Sequence, residues 1–348
     1  MEILWFGIVA FMITMYVILD GFDLGAGIIH LFAAKSDGQR RTILNAIGPV
    51  WDGNEVWLIA AGGVLYFAFP LLYASSFSGF YLPLMIVLWL LMLRALGIEL
   101  RHQVHSPLWT SFWDTVFSLG SILLAIFFGA ALGNVVRGVP LNADGYFFEP
   151  LWTTFTVVPE AGILDWFTVI MGLVGLFTLT AHGSNFIAVK TEGGLQVRAR
   201  RIARAAWWGV LLTSIAAFLS TTSIRPQVWN NFSEHAWGYV FPVLGLLGLI
   251  GMMYFNRMGE DRLAFTSSTA FIAGMLASTA FGLFPYVLPA STEDRFSLTV
   301  YNTIAHEYGL NVGLVWWIIG IIITGGYFTY LFRSFRGKVK VPAEGEGY

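Results

Sequence analysis

The stretch Trp51-Asp52-Gly53-Asn54-Glu55-Val56-Trp57 opens a hydrophobic run that continues from Leu58 to Leu72 and is long enough to enter a bilayer. At helical spacing, Asp52 and Glu55 share one face. The pair Gly62-Gly63 follows, and residues this small allow a second helix or a ligand to approach closely. Ionisable groups at a membrane boundary are costly unless they are paired, solvated or functional, so this stretch indicates a site at one membrane face.

The composition is that of an integral membrane protein. Of 348 residues, 57% are hydrophobic and 11% are charged, whereas a soluble domain carries about 25% charged residues. The chain has no cysteine, which excludes disulfides, thiolate metal sites and covalently attached c-type haem. The first residues carry no basic n-region, so we expect the first hydrophobic segment to remain in the mature protein.

Hydrophobic runs of about 20 residues predict an all-α, polytopic membrane protein with nine transmembrane helices. The runs lie near residues 4–32, 54–73, 77–98, 112–135, 163–188, 206–224, 237–255, 263–288 and 312–332. Polar patches in the first and fifth runs hint at an internal repeat. We therefore predict one membrane domain, residues 1–348, of two four-helix bundles plus a peripheral ninth helix. Its parts are residues 1–135, 163–288, 312–332 and a tail at 333–348, whose Gly/Glu-rich end is typical of disorder.

The distribution of Lys and Arg predicts the orientation of the chain. With the N-terminus outside, the inner segments hold sixteen of these residues and the outer segments hold three, Arg137, Arg225 and Arg295. We expect the N-terminus outside and the C-terminus in the cytoplasm of a bacterial inner membrane.

Ionisable side chains then gather near the cytoplasmic side of the first spans. The candidates are Asp20, Asp23, Asp52, Glu55, Arg94, Glu99, Asp114 and, in the fifth span, His182. Carboxylates crowded in a low dielectric hold and pass protons, which favours a proton-uptake route. The alternative is structural: Arg94 pairs with one carboxylate, and the others are solvated or cap helices.

The histidines do not form a metal motif. Of six, only His182 lies well inside a span, and a buried His more often hydrogen-bonds a neighbour than binds iron. There is no His-Glu-x-x-His sequence. We predict no metal centre and no catalytic residue in this chain.

The sequence resembles subunit II of the cytochrome bd quinol oxidases, most specifically in its first 140 residues. The stretches that carry the resemblance are Asp20 to Gly25, Arg40-Arg41, Asn45 to Pro49, Trp51 to Trp57, Phe69-Pro70, Phe77 to Tyr81, Arg94, Trp113-Asp114, Gly133-Asn134, Gly138 to Pro140, Phe284-Pro285 and Ser297 to Thr299.

The resemblance implies nine spans and a heterodimer with a similarly folded subunit I. That partner is expected to hold two b-type haems and haem d, to oxidise quinol and to reduce dioxygen to water. Subunit II is expected to support assembly and proton delivery, with Asp52 at the position of the family's proton-path aspartate and Glu99 at that of an acidic residue near the entrance. A small accessory subunit and membrane lipid are further expected partners; nucleic acid is not.

Two other functions compete with this interpretation. A secondary transporter would use the acidic cluster as a cation site, but nine spans divide poorly into inverted repeats, and only Asp20 to Asp23 suggests a broken helix. A haem protein acting alone would need paired axial ligands, which the sequence does not display.

Overall fold

The computed structural model describes residues 1–339 and is built almost entirely of helices. In chain order these are α1 (Glu2–Ala33), α2 (Asp37–Ile47), α3 (Trp51–Ala68), α4 (Pro70–Gly79), α5 (Tyr81–Leu100), α6 (Pro107–Arg137), α7 (Trp166–Lys190), α8 (Gly193–Ile224), α9 (Val228–Glu234), α10 (Val240–Met258), α11 (Asp261–Leu283), α12 (Val300–Thr303) and α13 (Glu307–Ser334). Two short strands, β1 (Tyr286–Leu288) and β2 (Leu298–Thr299), pair antiparallel.

Eight of the described helices are long and apolar enough to cross a membrane. They are α1, α5, α6, α7, α8, α10 with the turn before it, α11 and α13. The predicted all-α membrane fold is therefore confirmed. The ninth span, predicted at 54–73, corresponds to α3, whose first turns are polar; it stays a prediction.

Several predicted boundaries are shifted. The chain leaves the helix at Phe69, and Pro70 begins the separate helix α4, because a proline lacks the N–H that would continue the ladder. The run 263–288 overreaches, since α11 ends at Leu283 and strand β1 follows. Conversely, α8 begins at Gly193 rather than near 206, because its first turns are basic and carry no hydrophobic signal.

Helix α1 is the centre of the fold. It packs against α3 and α6, and also against α7 and α11, so it contacts helices of both predicted halves. The division into two four-helix bundles stays a prediction. The approach of α1 to α7 depends on glycine: a Cβ at Gly25 would lie 2.1 Å from the carbonyl oxygen of Leu179, and one at Gly183 would lie 2.4 Å from the Cα of Gly25.

The interpretation of Gly62 and Gly63 as a close-packing site is not supported within this chain. A Cβ at either position would meet no atom within 4 Å, so both glycines face open space. Small residues mark a close approach only where the helix face that carries them is turned toward a neighbour.

Helix α13 is largely exposed within the described part of the chain. Along its length only Leu310 and Leu331 are buried. Beyond it, Lys338 Nζ donates hydrogen bonds to the carbonyls of Ala188 and Thr191, at 3.1 and 2.8 Å. The start of the predicted disordered tail is thus attached to the end of α7, and residues 340–348 lie outside the described part.

Candidate functional site

A buried ion pair joins the central helix α1 to α5. Asp20 on α1 and Arg94 on α5 are both fully buried. Arg94 donates two hydrogen bonds to the Asp20 carboxylate, from Nη1 at 2.9 Å and from Nη2 at 2.5 Å. In this forked geometry the planar guanidinium faces the carboxylate with two parallel hydrogen bonds.

Asp23 lies one helical turn further along α1 and has a neutral partner. Asn54 donates from Nδ2 to Asp23 Oδ2 at 2.7 Å and to the carbonyl of Leu19 at 3.3 Å. Both residues are fully buried. Within residues 1–339, Asp23 Oδ1, Asn54 Oδ1 and Arg94 Nε have no hydrogen-bond partner. Buried polar atoms are rarely left unpaired, so this interior has unused capacity for a proton or a polar ligand.

The Trp51–Trp57 motif connects this interior with the surface. Asp52 is exposed, Glu55 is half-buried and Asn54 is fully buried, all within the first two turns of α3. Glu55 lies within electrostatic range of Arg94, Asp20 and Asp52. The motif therefore places two carboxylates at successive depths beside the one amide that contacts Asp23.

Asp114 belongs to a different cluster. It accepts hydrogen bonds from Arg101 Nε at 2.6 Å and from Arg40 Nη1 at 3.1 Å, and its Oδ1 lies 2.5 Å from His30 Nε2. Arg101 also donates to Asp37 at 2.5 Å. The carboxylates predicted to form one cluster therefore form two. Residues at the same depth in the membrane can lie on different faces of their helices, and here Asp114 and Asp20 contact different partners.

The last two predicted site residues lie apart from both groups. His182 is fully buried: its Nδ1 is 2.7 Å from Ser268 Oγ and its Nε2 is 2.9 Å from the carbonyl oxygen of Ile18. Glu99 is half-exposed near the end of α5, and no ion pair is found for it among the described residues.

Two residues of the site were missed from sequence. Tyr16 is buried one turn before Asp20, and its hydroxyl has no hydrogen-bond partner among residues 1–339. His30 was not among the predicted site residues, yet it is fully buried against Asp114. Tyr16 could have been found from its i, i+4 spacing to Asp20, which places both on one helix face. No sequence pattern pointed to His30.

The family described as cytochrome bd terminal oxidase subunit II matches residues 1–335. This chain belongs to that family. Among similar proteins, the cytochrome bd ubiquinol oxidase subunit 2 of Bacillus subtilis is 32% identical over 89% of this chain and 88% of its own length. The probable cytochrome oxidase subunit 2 of Haemophilus influenzae is 30% identical, covering 97% and 95%. The cytochrome bd-I ubiquinol oxidase subunit 2 of Escherichia coli K12 is 29% identical, covering 93% and 90%.

A solved structure supports the fold. The bd oxidase from Geobacillus thermodenitrificans contains a chain that superposes with a TM-score of 0.75 at 18% identity, over 96% of this chain and 98% of that one. Family membership decides between an oxidase subunit and a transporter in favour of the first. Complexes of the cytochrome bd family are haem-containing oxidoreductases of the respiratory chain, and the chain is a multi-pass subunit of the bacterial inner membrane that assembles with a subunit I.

Proposed function

We propose that this subunit II supports assembly of a haem-bearing subunit I and delivers protons from the cytoplasmic face to the site of dioxygen reduction. The observation that carries the proposal is the polar connection from exposed Asp52, past half-buried Glu55, to the fully buried Asn54, Asp23 and Asp20. Quinol is oxidised in the same complex, and its electrons and these protons are consumed together when dioxygen becomes water.

The residues along this connection have different tasks. Asp52 faces the aqueous boundary, where a carboxylate equilibrates rapidly with solvent protons. Asp23 is held by the neutral Asn54 rather than by a cation, so its free oxygen Oδ1 is available to accept a proton. Asp20 is engaged by Arg94 through two hydrogen bonds, and this fixed pair keeps the interior polar.

We assign a structural task to Asp114. Its carboxylate is saturated by Arg101, Arg40 and His30, which leaves no free oxygen for a migrating proton. Participation of Glu99 near the entrance and of His182 in the interior stays a prediction from residue type.

The haems are assigned to subunit I, where the iron supplies the electron-transfer and dioxygen chemistry. The buried histidines of this chain are engaged within the protein. Both ring nitrogens of His182 are engaged by Ser268 and Ile18, and His30 is engaged by Asp114 through Nε2, which leaves its Nδ1 as the one ring nitrogen of the two without a partner among residues 1–339. No step of the proposed mechanism passes through a haem in this subunit.

Assembly with subunit I is proposed to cover exposed membrane surface that includes α3. Val56 and Ile59 on α3 are 52% and 73% exposed, and Asp52 is exposed one turn away. Exposed apolar side chains of this size are typical of a surface that a partner or lipid covers. Subunit I would cover Val56 and Ile59 while Asp52 stays at the aqueous boundary, and α3 would be the ninth span, with the N-terminus outside and the C-terminus in the cytoplasm.

The experiment compares oxygen consumption and haem spectra of purified complexes carrying Asp52→Asn, Asp23→Asn or the control Asp144→Asn. Asp144 is an exposed carboxylate in the segment between α6 and α7. We expect Asp52→Asn and Asp23→Asn to slow quinol-driven oxygen consumption about tenfold, which corresponds to a barrier higher by about 1.4 kcal/mol, with unchanged haem bands. Full turnover in both variants would reject the proton pathway.

A further inference from the structure

A third group of buried charges lies far from the Asp20 site and from the Asp114 cluster. Arg137 ends α6, at the opposite end of that helix from Asp114 and about 35 Å away at 1.5 Å per residue. Around it lie Glu149, in the segment 138–165 that joins α6 to α7, and Asp165, the residue that begins α7. Both carboxylates are fully buried, and Arg137 is 4% exposed.

Arg137 connects the whole of this segment. A guanidinium has five N–H donors, and here each finds an acceptor. Nε donates to the carbonyl of Gly138 at 3.2 Å, and Nη1 donates to the carbonyl of Gly162 at 3.1 Å and to Asp165. Nη2 donates to Asn134 Oδ1 at 2.7 Å and to Glu149 Oε1 at 2.6 Å. One side chain therefore holds the beginning, the middle and the end of the segment together.

The two carboxylates are not equivalent. Asp165 accepts hydrogen bonds from the backbone N–H groups of Phe167 and Thr168, at 2.8 and 2.9 Å, on one oxygen and from Arg137 on the other. Both oxygens of Asp165 are thus hydrogen-bonded, one as the cap of α7 and the other to the cation. Asp165 is therefore the fully partnered counter-charge of Arg137.

Glu149 is left as the excess acid. Its Oε1 accepts from Arg137, but its Oε2 is buried without a hydrogen-bond partner among residues 1–339. The charged groups that face it are Arg137 from α6 and Asp165 from α7. From the α4 side it meets the carbonyl of Gly79, to which its own backbone N–H donates at 3.4 Å. With Arg137 already neutralised, an ionised Glu149 would be an uncompensated buried charge.

We propose that Glu149 is a proton-binding site of this chain, separate from the Asp20 site, and that the bound proton keeps the 138–165 segment closed on the ends of α6 and α7. The proton comes from bulk water and binds at Oε2; no electron transfer or bond cleavage is involved. Losing it leaves one cation between two buried anions, and the segment opens to bring water to Glu149.

The surroundings of Glu149 also favour its protonated form. The pKa of Glu149 is raised from 4.5 to about 8, with burial as the largest cause; Arg137 opposes the rise and the charge of Asp165 adds to it. A group with a raised pKa binds its proton more tightly in the closed form than in the open one. The closed form is therefore favoured at low pH, and the opening equilibrium should increase about 30-fold between pH 6.5 and 9.

The test uses the purified complex and two independent readouts. Infrared difference spectra, recorded as pH is raised in protein labelled with ¹³C at the glutamate carboxyl, should show a protonated glutamate that ionises with a midpoint near pH 8. Hydrogen exchange should report opening at the N–H groups of Ile163 and Leu164, which bond to the carbonyls of Pro150 and Leu151. After correction for intrinsic exchange, their protection should fall about 30-fold over the same range.

The variant Glu149→Gln keeps an acceptor for Arg137 but cannot ionise, and Glu160→Gln removes an exposed carboxylate from the same segment. We expect the infrared signal and the pH dependence of exchange to disappear in the first and to persist in the second. The proposal is overturned if wild-type protein lacks the protonated signal, or if Glu149→Gln retains the pH dependence. The wild-type titration decides the first point even if a variant folds poorly.

Discussion

Asp20 and Arg94 form a forked ion pair that has no contact with solvent, although 74 residues separate them in sequence. The pair links α1, the central helix, to α5. Because an unpartnered buried charge costs far more than a buried pair, the two residues stabilise the fold mainly as a unit.

Arg94→Gln should therefore destabilise the subunit by about 3 to 5 kcal/mol, because it leaves the Asp20 carboxylate buried without its cation. The amount of assembled complex and its thermal midpoint measure the loss. The double variant Asp20→Asn with Arg94→Gln should recover much of it, since both charges are gone. Arg262→Gln, at an exposed cation, serves as the control and should stay within about 0.5 kcal/mol of wild type. Equal losses in the single and double variants would contradict this account.

Depth along a helix was predictable from the sequence, but pairing was not. Hydropathy placed Asp20, Arg94 and Asp114 near one membrane face, and the structure divides them between two clusters because α6 turns Asp114 toward Arg101 and His30. Rotation of a helix about its axis depends on packing with its neighbours, which no short-range pattern encodes.

The Trp51–Trp57 motif shows the other limit of prediction. Its polar residues were recognised as a site, yet the same residues reduce the hydropathy of α3 so far that it is not among the eight helices apolar enough to span. The Arg137 cluster could not be predicted from the sequence. Its two acids, Glu149 and Asp165, lie 12 and 28 residues after Arg137, and an irregular segment separates them from α6.

The contact between α1 and α7 predicts a sharp size limit at Gly25. Alanine there would place its Cβ 2.1 Å from a backbone oxygen of α7 and 2.7 Å from Gly183 Cα, so the helices would have to separate. We expect Gly25→Ala to lose about 1 to 3 kcal/mol and Gly25→Leu to prevent assembly. Gly7 lies on the same helix with no atom within 4 Å of its Cβ position, and Gly7→Ala should be neutral or slightly stabilising. Normal yields of the Gly25→Leu complex would show that α1 and α7 do not pack closely.

Asp114 is predicted to anchor α2. Its contacts with Arg40 on α2 and Arg101 after α5 connect this short helix to the bundle. Asp114→Asn weakens both charge-assisted hydrogen bonds, and the segment 37–47 should become about tenfold more sensitive to trypsin at Arg40-Arg41, as expected for a loss of about 1.4 kcal/mol. Glu260→Gln, an exposed acid between α10 and α11, is the matched control. Unchanged cleavage kinetics in Asp114→Asn would remove the anchoring role.

Glu149 makes the stability of the complex depend on pH with a definite sign. Its pKa is raised to about 8 in the folded chain from 4.5, mainly by burial. Between these two values the folded form binds more protons than the unfolded form, so the free energy of unfolding falls as pH rises and is independent of this group below and above that window. Relative to Glu149→Gln, wild type should lose up to about 5 kcal/mol across the window. Thermal midpoints of both proteins from pH 5 to 9 measure this difference, and Glu160→Gln should follow wild type throughout. A gap between wild type and Glu149→Gln that stays constant with pH would show that Glu149 is ionised in the folded protein at every pH tested.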